Sequence, residues 1–181
     1  MPQITLETDR LSIRPWRDDD REPFAAMCAD PEVMRYFPAP LSRKESDDLI
    51  DRAIVRAEDD GVCFQPVERS EDGCFLGFVG LSRPAWQVPG APGCVEIGWR
   101  LAQAAWGRGY ASEAARAWCR FGFETLGLLE IVSFTTLAND RSRRVMERLG
   151  MTHTPADDFD HPLIDADHPL SRHVLYRLAR P

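Results

Sequence analysis

One octet, Trp106-Gly107-Arg108-Gly109-Tyr110-Ala111-Ser112-Glu113, limits the possible folds of this chain more than any other segment. Before it, Val95, Ile97, Trp99 and Leu101 alternate with Glu96, Gly98 and Arg100, the period of a strand. After it, from Tyr110 to about Leu126, Ala111, Ala114, Ala115, Trp118 and Gly122 recur on one helical face, with Glu113, Arg116, Arg120 and Glu124 on the other. Glycines at a strand-to-helix junction let backbone N–H groups approach an anion, and the helix dipole adds to the attraction. A phosphate-bearing ligand is expected there. Two phosphate loops fail on spacing: a P-loop needs Gly-Lys-Ser/Thr, and a dinucleotide fingerprint needs a third glycine where this chain has Ser112.

The rest of the chain supplies alternating strand and helix signals. Ile4 to Pro15 alternates around Leu6, Leu11 and Ile13 and predicts an opening strand. Asp18-Asp19-Asp20 ahead of Pro23 to Met27 predicts a helix start, and Ser42-Arg43-Lys44-Glu45 has capping-box spacing before the helical run Leu49, Ile50, Ala53, Ile54, Ala57. Val62 to Val67 and Phe75 to Leu81, joined through Asp72-Gly73, predict a hairpin. Pro84 to Gly93 holds too many prolines and glycines for an element and predicts a loop. Ile131 to Thr136 predicts a buried strand, Asn139 to Leu149 a helix ended by Gly150, and His173 to Leu178 a last strand. Gly98, inside its strand, predicts a bulge or the close approach of a ligand. No repeat or linker divides residues 1–181, which predicts one domain.

Charge and cysteine usage narrow the function classes. Twenty-nine acidic against 22 basic residues give a net charge of -7, which argues against general nucleic-acid binding and favours the approach of a cationic acceptor such as an amine. Cys28, Cys63, Cys74, Cys94 and Cys119 are odd in number and lack any CxxC, so buried free thiols are expected rather than disulfides or zinc. His153, His161, His168 and His173 show no metal spacing, and no metal is expected. The first ten residues carry no export signal and no run is long enough to cross a bilayer, so a cytoplasmic protein with no membrane partner is expected.

The octet resembles the acetyl-CoA loop of the GNAT N-acetyltransferases, Arg/Gln-x-x-Gly-x-Gly/Ala, through Gly107 and Gly109, with Ala104 at the leading position and Gln103 one place early. Thr8-Asp-Arg-Leu-Ser-Ile-Arg14, Phe78-Val-Gly-Leu81, Glu96-Ile-Gly-Trp99 and Asn139 to Met151 follow in the family's order, and the chain resembles the branch containing the Rim-type ribosomal-protein N-acetyltransferases from about Leu6 to Met151. The resemblance implies an α/β (α+β) GNAT fold: a mixed, mostly antiparallel central sheet splayed between the fourth and fifth strands, with helices on both faces. It implies transfer of an acetyl group from acetyl-CoA to a primary amine, a protein N-terminus or a small molecule, by direct attack. Family members often pair, which makes a homodimer a further expectation.

The same resemblance implies roles. The backbone of Trp99, Arg100 and Leu101 would pair with the pantetheine arm, and Gly107, Arg108, Gly109, Tyr110, Ala111 and Ser112 would hold the pyrophosphate. Asn139 matches a position that touches the CoA arm, and it also reads as a plain helix cap. Glu96 is the candidate general base, since an amine attacks only when neutral; the alternative is a Glu96 paired to an arginine or facing solvent. Met146 stands where many members have an acidic tyrosine, and Ser142 is the candidate general acid, or else a local helix-start contact. The acceptor pocket would be built from the first helices, the 84–93 loop and the tail. Met146 and Ala104 leave open a catalytically silent acyl-CoA-binding domain, and a further alternative is an interaction protein retaining the fold, whose 107–112 loop would bind nothing.

Overall fold

The opening alternation forms two short strands rather than one. In the computed structural model, which describes residues 4–181, β1 (Leu6–Glu7) folds back antiparallel onto β2 (Leu11–Ile13). The turn is closed by Thr8 N–H donating to Leu11 O at 2.9 Å. Met1 to Gln3, with which the leader-free reading begins, lie outside the described residues.

The acidic run forms a short 3-10 turn at Asp18–Asp20 that leads into α1 (Arg21–Ala29). Asp20 is nearly fully buried and its carboxylate accepts two bonds of 2.8 Å from Arg14, whose guanidinium also reaches Glu68. Burial pulls Arg14 toward deprotonation, but the hydrogen bonds to Asp20 and Glu68 outweigh it and the net shift is upward. α2 (Arg43–Asp59) starts as its sequence predicts: Ser42 caps it and Glu45 reaches back to the Ser42 N–H at 2.7 Å.

β3 (Phe64–Arg69) and β4 (Phe75–Ser82) form the expected hairpin. β5 (Glu96–Leu101) adds antiparallel to β4, and a 3-10 turn at Gln103–Ala105 leads toward α3 (Tyr110–Glu124). β6 (Glu130–Thr136), α4 (Asp140–Arg148) and β9 (Arg172–Ala179) also follow prediction. Two short strands in the tail, β7 (Thr152–His153) and β8 (Phe159–Asp160), went unforeseen. Two residues are too few to show a period, and both form by pairing with β9.

The sheet runs β1-β2-β3-β4-β5-β6-β9-β7, with β8 also on β9, and every pairing is antiparallel except β5 with β6. α3 lies on one face with Met146 of α4. There Trp118, Leu81, Ile97 and Ile131, all about 1% exposed or less, form the main core. α1 and α2 cover the opposite face around Phe24, Met27, Cys28, Ile50 and Phe78. Burying such side chains contributes about 1.5–3 kcal/mol each, which is why the period-two and period-3.6 patterns decide which face each element presents.

Cys28, Cys63 and Cys119 are buried free thiols, but Cys74 is exposed and Cys94 half-buried. Both lie at strand edges next to turns, where the core does not reach. No helix among the described residues is long and apolar enough to cross a membrane, and no group of three or more His, Cys, Asp or Glu side chains there could hold a metal ion.

Candidate active site

β5 and β6 touch through one backbone pair, Glu96 with Val132, reinforced by Val132 N–H donating to Val95 O at 3.0 Å. Beyond it the two strands part. Ala102 N–H donates to Leu76 O at 2.9 Å, and in an antiparallel ladder that orientation repeats at every second residue. The peptide groups of Glu96, Gly98 and Arg100 therefore face β4, and those of Ile97, Trp99 and Leu101 face the gap. Of the three residues expected to offer backbone to an arm, Trp99 and Leu101 present it to the opening, and Arg100 contributes its side chain instead. The Leu101 carbonyl is already engaged, accepting from the Trp106 indole at 2.8 Å, which closes that end of the gap.

A cleft of about 860 Å³ fills the space between the parted strands. It brings together Glu96, Trp99, Arg100, Leu101, Gly107, Gly109, Tyr110, Ala111, Ser112, Asn139 and Ser142. Arg108, the remaining expected cofactor residue, is exposed and does not line it.

The start of α3 forms one end of the cleft. Gly107 and Gly109 have φ of 74° and 83°, a left-handed conformation that side chains other than Asn or Asp adopt at a cost. Nothing lies within 4 Å of a Cβ built on Gly107, so conformation and not space requires the glycine. Gly109 is the N-cap and has no side chain with which to cap. Among the described residues the N–H groups of Tyr110, Ala111 and Ser112 find no acceptor, since the first helical bond runs from Glu113 N–H to Gly109 O at 3.0 Å. The Ser112 hydroxyl is buried and also unpartnered. Free donors at the positive end of a 15-residue helix fit a pyrophosphate.

The candidate base lies on β5. Glu96, Gly98 and Arg100 share one face of β5, turned toward the α1 and α2 side. No bulge occurs at Gly98 (β4 and β5 stay in register); what approaches it is the Phe64 ring, 2.9 Å from where a Cβ would stand. Glu96 makes no hydrogen bond or ion pair to the described residues, and burial pushes its pKa up to about 7, with Arg56 opposing only in part. Pairing to an arginine is thus not its role in the fold. His161 also lines the cleft, beside His173 with ring centroids 4.9 Å apart, but burial and that neighbour hold it down to about 4, too weak a base at neutral pH.

Asn139 caps α4: its Oδ1 accepts from Ser142 N–H at 3.2 Å and its Nδ2 donates to Thr135 Oγ1 at 3.0 Å. The Ser142 hydroxyl, at the cleft wall, has no hydrogen-bond partner among the described residues. Met146 is fully buried in the core, out of the cleft. The 84–93 loop does not line the cleft either. Its Val88 and Ala91 pack with Val132, Phe159 and Leu175, and the linker between α1 and α2 takes that place with Tyr36, Phe37 and Pro38. The linker lacks periodicity, so sequence gave no reason to single it out; the aromatic pair Tyr36-Phe37 was the one available signal.

The model of the acetyltransferase (GNAT) domain family matches residues 10–152. Among characterised relatives, the chain is similar to the FsC-acetyl coenzyme A-N(2)-transacetylase of Aspergillus fumigatus, 33% identical over 156 residues covering 83% of this chain and 66% of that protein. Among solved structures it is similar to an acetyltransferase of Agrobacterium tumefaciens, 28% identical with a TM-score of 0.78, covering 97% of this chain and 94% of that one. RimL, a ribosomal-protein α-N-acetyltransferase in complex with coenzyme A, shares the fold at 12% identity and a TM-score of 0.77, covering 97% and 98%.

Proposed function

Since this chain belongs to the GNAT acetyltransferase family, whose members use acetyl-CoA, we propose that it acetylates a primary amine, with Glu96 as general base and the gap between β5 and β6 as the cofactor seat. The observation that carries the reading is the convergence, in one cleft, of uncapped α3 N–H groups, unpaired β5 backbone and a carboxylate whose pKa lies near 7.

The co-substrate supplies an activated acetyl thioester. Trp99 presents N–H and C=O to the gap and would bind an extended amide-bearing arm as an added strand, with the Leu101 N–H alongside. Gly107 and Gly109 set the turn that frees the Tyr110, Ala111 and Ser112 N–H groups for phosphate oxygens, and Asn139 holds the start of α4 at the cleft's edge. On the α1 and α2 side, Glu96 would take the proton from the incoming ammonium. A base with pKa near 7 is half-ionised at neutral pH, close to the optimum for accepting a proton and passing it on. Ser142 Oγ, free of internal bonds, would donate to the departing sulfur. A thiol with pKa near 8.5 already leaves readily, so this role adds little.

The test is calorimetric titration with acetyl-CoA, CoA and NADH, followed by thiol release with a panel of primary amines. Selective binding of the CoA species with amine-dependent thiol release supports the reading. CoA binding without turnover on any amine would favour a silent acyl-CoA-binding domain.

A further inference from the structure

Arg14 is buried and Arg100 half-buried, and the fold treats them differently. Arg14 is held by two carboxylates, Asp20 and Glu68. Arg100 has no carboxylate within ion-pair distance among the described residues, in a chain with 29 acidic side chains. Its Nη1 donates to Cys28 Sγ at 3.2 Å, a weak acceptor, and its Nε is buried with no acceptor among the described residues. The guanidinium carbon lies over the Phe37 ring, 4.1 Å from its centroid, and over the Phe78 ring at 5.4 Å. Burial draws its pKa below the usual arginine range, and Cys28 only partly compensates. A cation drawn partly out of water without a counter-ion costs stability unless something supplies one.

The position of Arg100 indicates where that counter-ion would come from. It stands on the cleft wall, on the same strand face as Glu96 and four residues further on, about 13 Å along the strand at ~3.3 Å per residue. Its Nη2 makes no hydrogen bond to the described residues and is not sealed from solvent. With Nη1 given to Cys28 and Nε sealed in, Nη2 is the open donor, and a ligand carboxylate would take a charge-assisted hydrogen bond from it. We propose that the acceptor is an ω-amino carboxylate, a small molecule whose carboxylate is bound by Arg100 while its amine, several bonds away, lies at Glu96. The inference rests on the amine-acetylation reading and names its substrate class. It also locates a local exception to the protein's acidic charge, which by itself favours cationic acceptors.

Binding and turnover test it separately. CoA-loaded protein is titrated with 6-acetamidohexanoate and with N-hexylacetamide, which share the amide and chain and differ in the carboxylate. The acid is expected to bind about tenfold or more tightly, and Arg100→Gln to abolish that preference. Equal affinities in the wild-type protein, a result that needs no variant to fold, would overturn the proposal, and so would a folded R100Q protein that still prefers the acid. In turnover, kcat/KM along the series from glycine to 6-aminohexanoate is compared with alkylamines of equal length. A ratio favouring the longer amino acids supports the assignment, and a ratio near one overturns it. Preferential binding of the acid with no turnover on any amine would sink the transferase reading while leaving Arg100 as a carboxylate site.

Discussion

Arg10 and Glu113 lock the opening hairpin onto the first turn of α3: the Glu113 carboxylate accepts from Arg10 Nε at 2.7 Å, Arg10 Nη2 at 2.5 Å and the Arg10 backbone N–H at 3.1 Å. Thr8 Oγ1 adds a fourth bond at 2.6 Å. The pair thus couples the opening hairpin, 103 residues earlier in the chain, to the segment that frees the phosphate-binding donors.

Burial would raise the Glu113 pKa, but the bonds from Thr8 and Arg10 outweigh it and hold the group below its ordinary value. A depressed carboxylate stabilises the fold above its unfolded pKa and loses that contribution as pH falls through the folded one. Glu113→Gln should therefore lower Tm at pH 7 by about 2–4 °C, corresponding to about 1 kcal/mol for a half-exposed pair, and the gap to the wild type should narrow as pH falls below the ordinary carboxylate range. Thermal unfolding followed by circular dichroism across that range decides it; an equal loss throughout would mean that charge is not the cause.

Glu96 behaves in the opposite sense. Its raised pKa means that the ionised form is disfavoured in the fold, so its presence costs stability increasingly as pH climbs from about 4.5 to about 7. Glu96→Gln should raise Tm at pH 8 and leave it unchanged near pH 4. The same substitution should cut kcat/KM for a lysine-like amine by about 10² or more with acetyl-CoA affinity near normal. Wild-type kcat/KM should fall as pH drops below 7. Unchanged turnover in E96Q would remove Glu96 from the mechanism.

Gly109→Val should weaken CoA binding by about 30-fold or more, because a β-branched residue is strained at φ 83° and the α3 donors would turn away. Gly109→Asn should lose much less, since asparagine tolerates that conformation and the nearest atom to a Cβ is Arg10 Nη2 at 3.6 Å. Titration calorimetry on both variants separates backbone strain from steric block; equal losses would favour the latter.

Asn139→Ala removes the α4 cap and should cost about 1 kcal/mol, seen as a Tm lower by about 2–4 °C. Ser142→Ala should leave Tm close to wild type and reduce kcat less than about tenfold. A larger kcat loss would show that the leaving thiolate depends on a proton from Ser142.

How far the sequence could be read depended on how each feature is encoded. α2 and its Ser42 cap, the Gly107 and Gly109 turn, and the alternation of β5 are local patterns, and each forms where its residues predict. The opening segment was harder, because Leu6, Leu11 and Ile13 satisfy a strand period whether or not the chain reverses at Thr8; the reversal is secured by Glu113, 105 residues away. The family resemblance could place Glu96 on the acceptor face, but the isolation of Arg100 is a property of what surrounds it. Phe37 comes from the α1–α2 linker, Phe78 from β4 and Cys28 from α1, and no spacing in the sequence announces that they meet. The 84–93 loop misled for a related reason: its composition said loop, yet Val88 and Ala91 anchor it away from the cleft.

The single backbone pair at Glu96 and Val132 divides the sheet into two leaves, β1 to β5 and the strands beyond, joined at one rung and backed by α3. Along the rest of that seam, each leaf lacks the neighbour that a continuous sheet would provide. An extended ligand that lies along β5 would act as mortar between the leaves, so its affinity would reappear as resistance to unfolding, growing with ligand concentration as RT ln(1 + [L]/Kd). Amide exchange along β6 and β9, on the leaf the ligand does not have to touch, should slow together with that along β5.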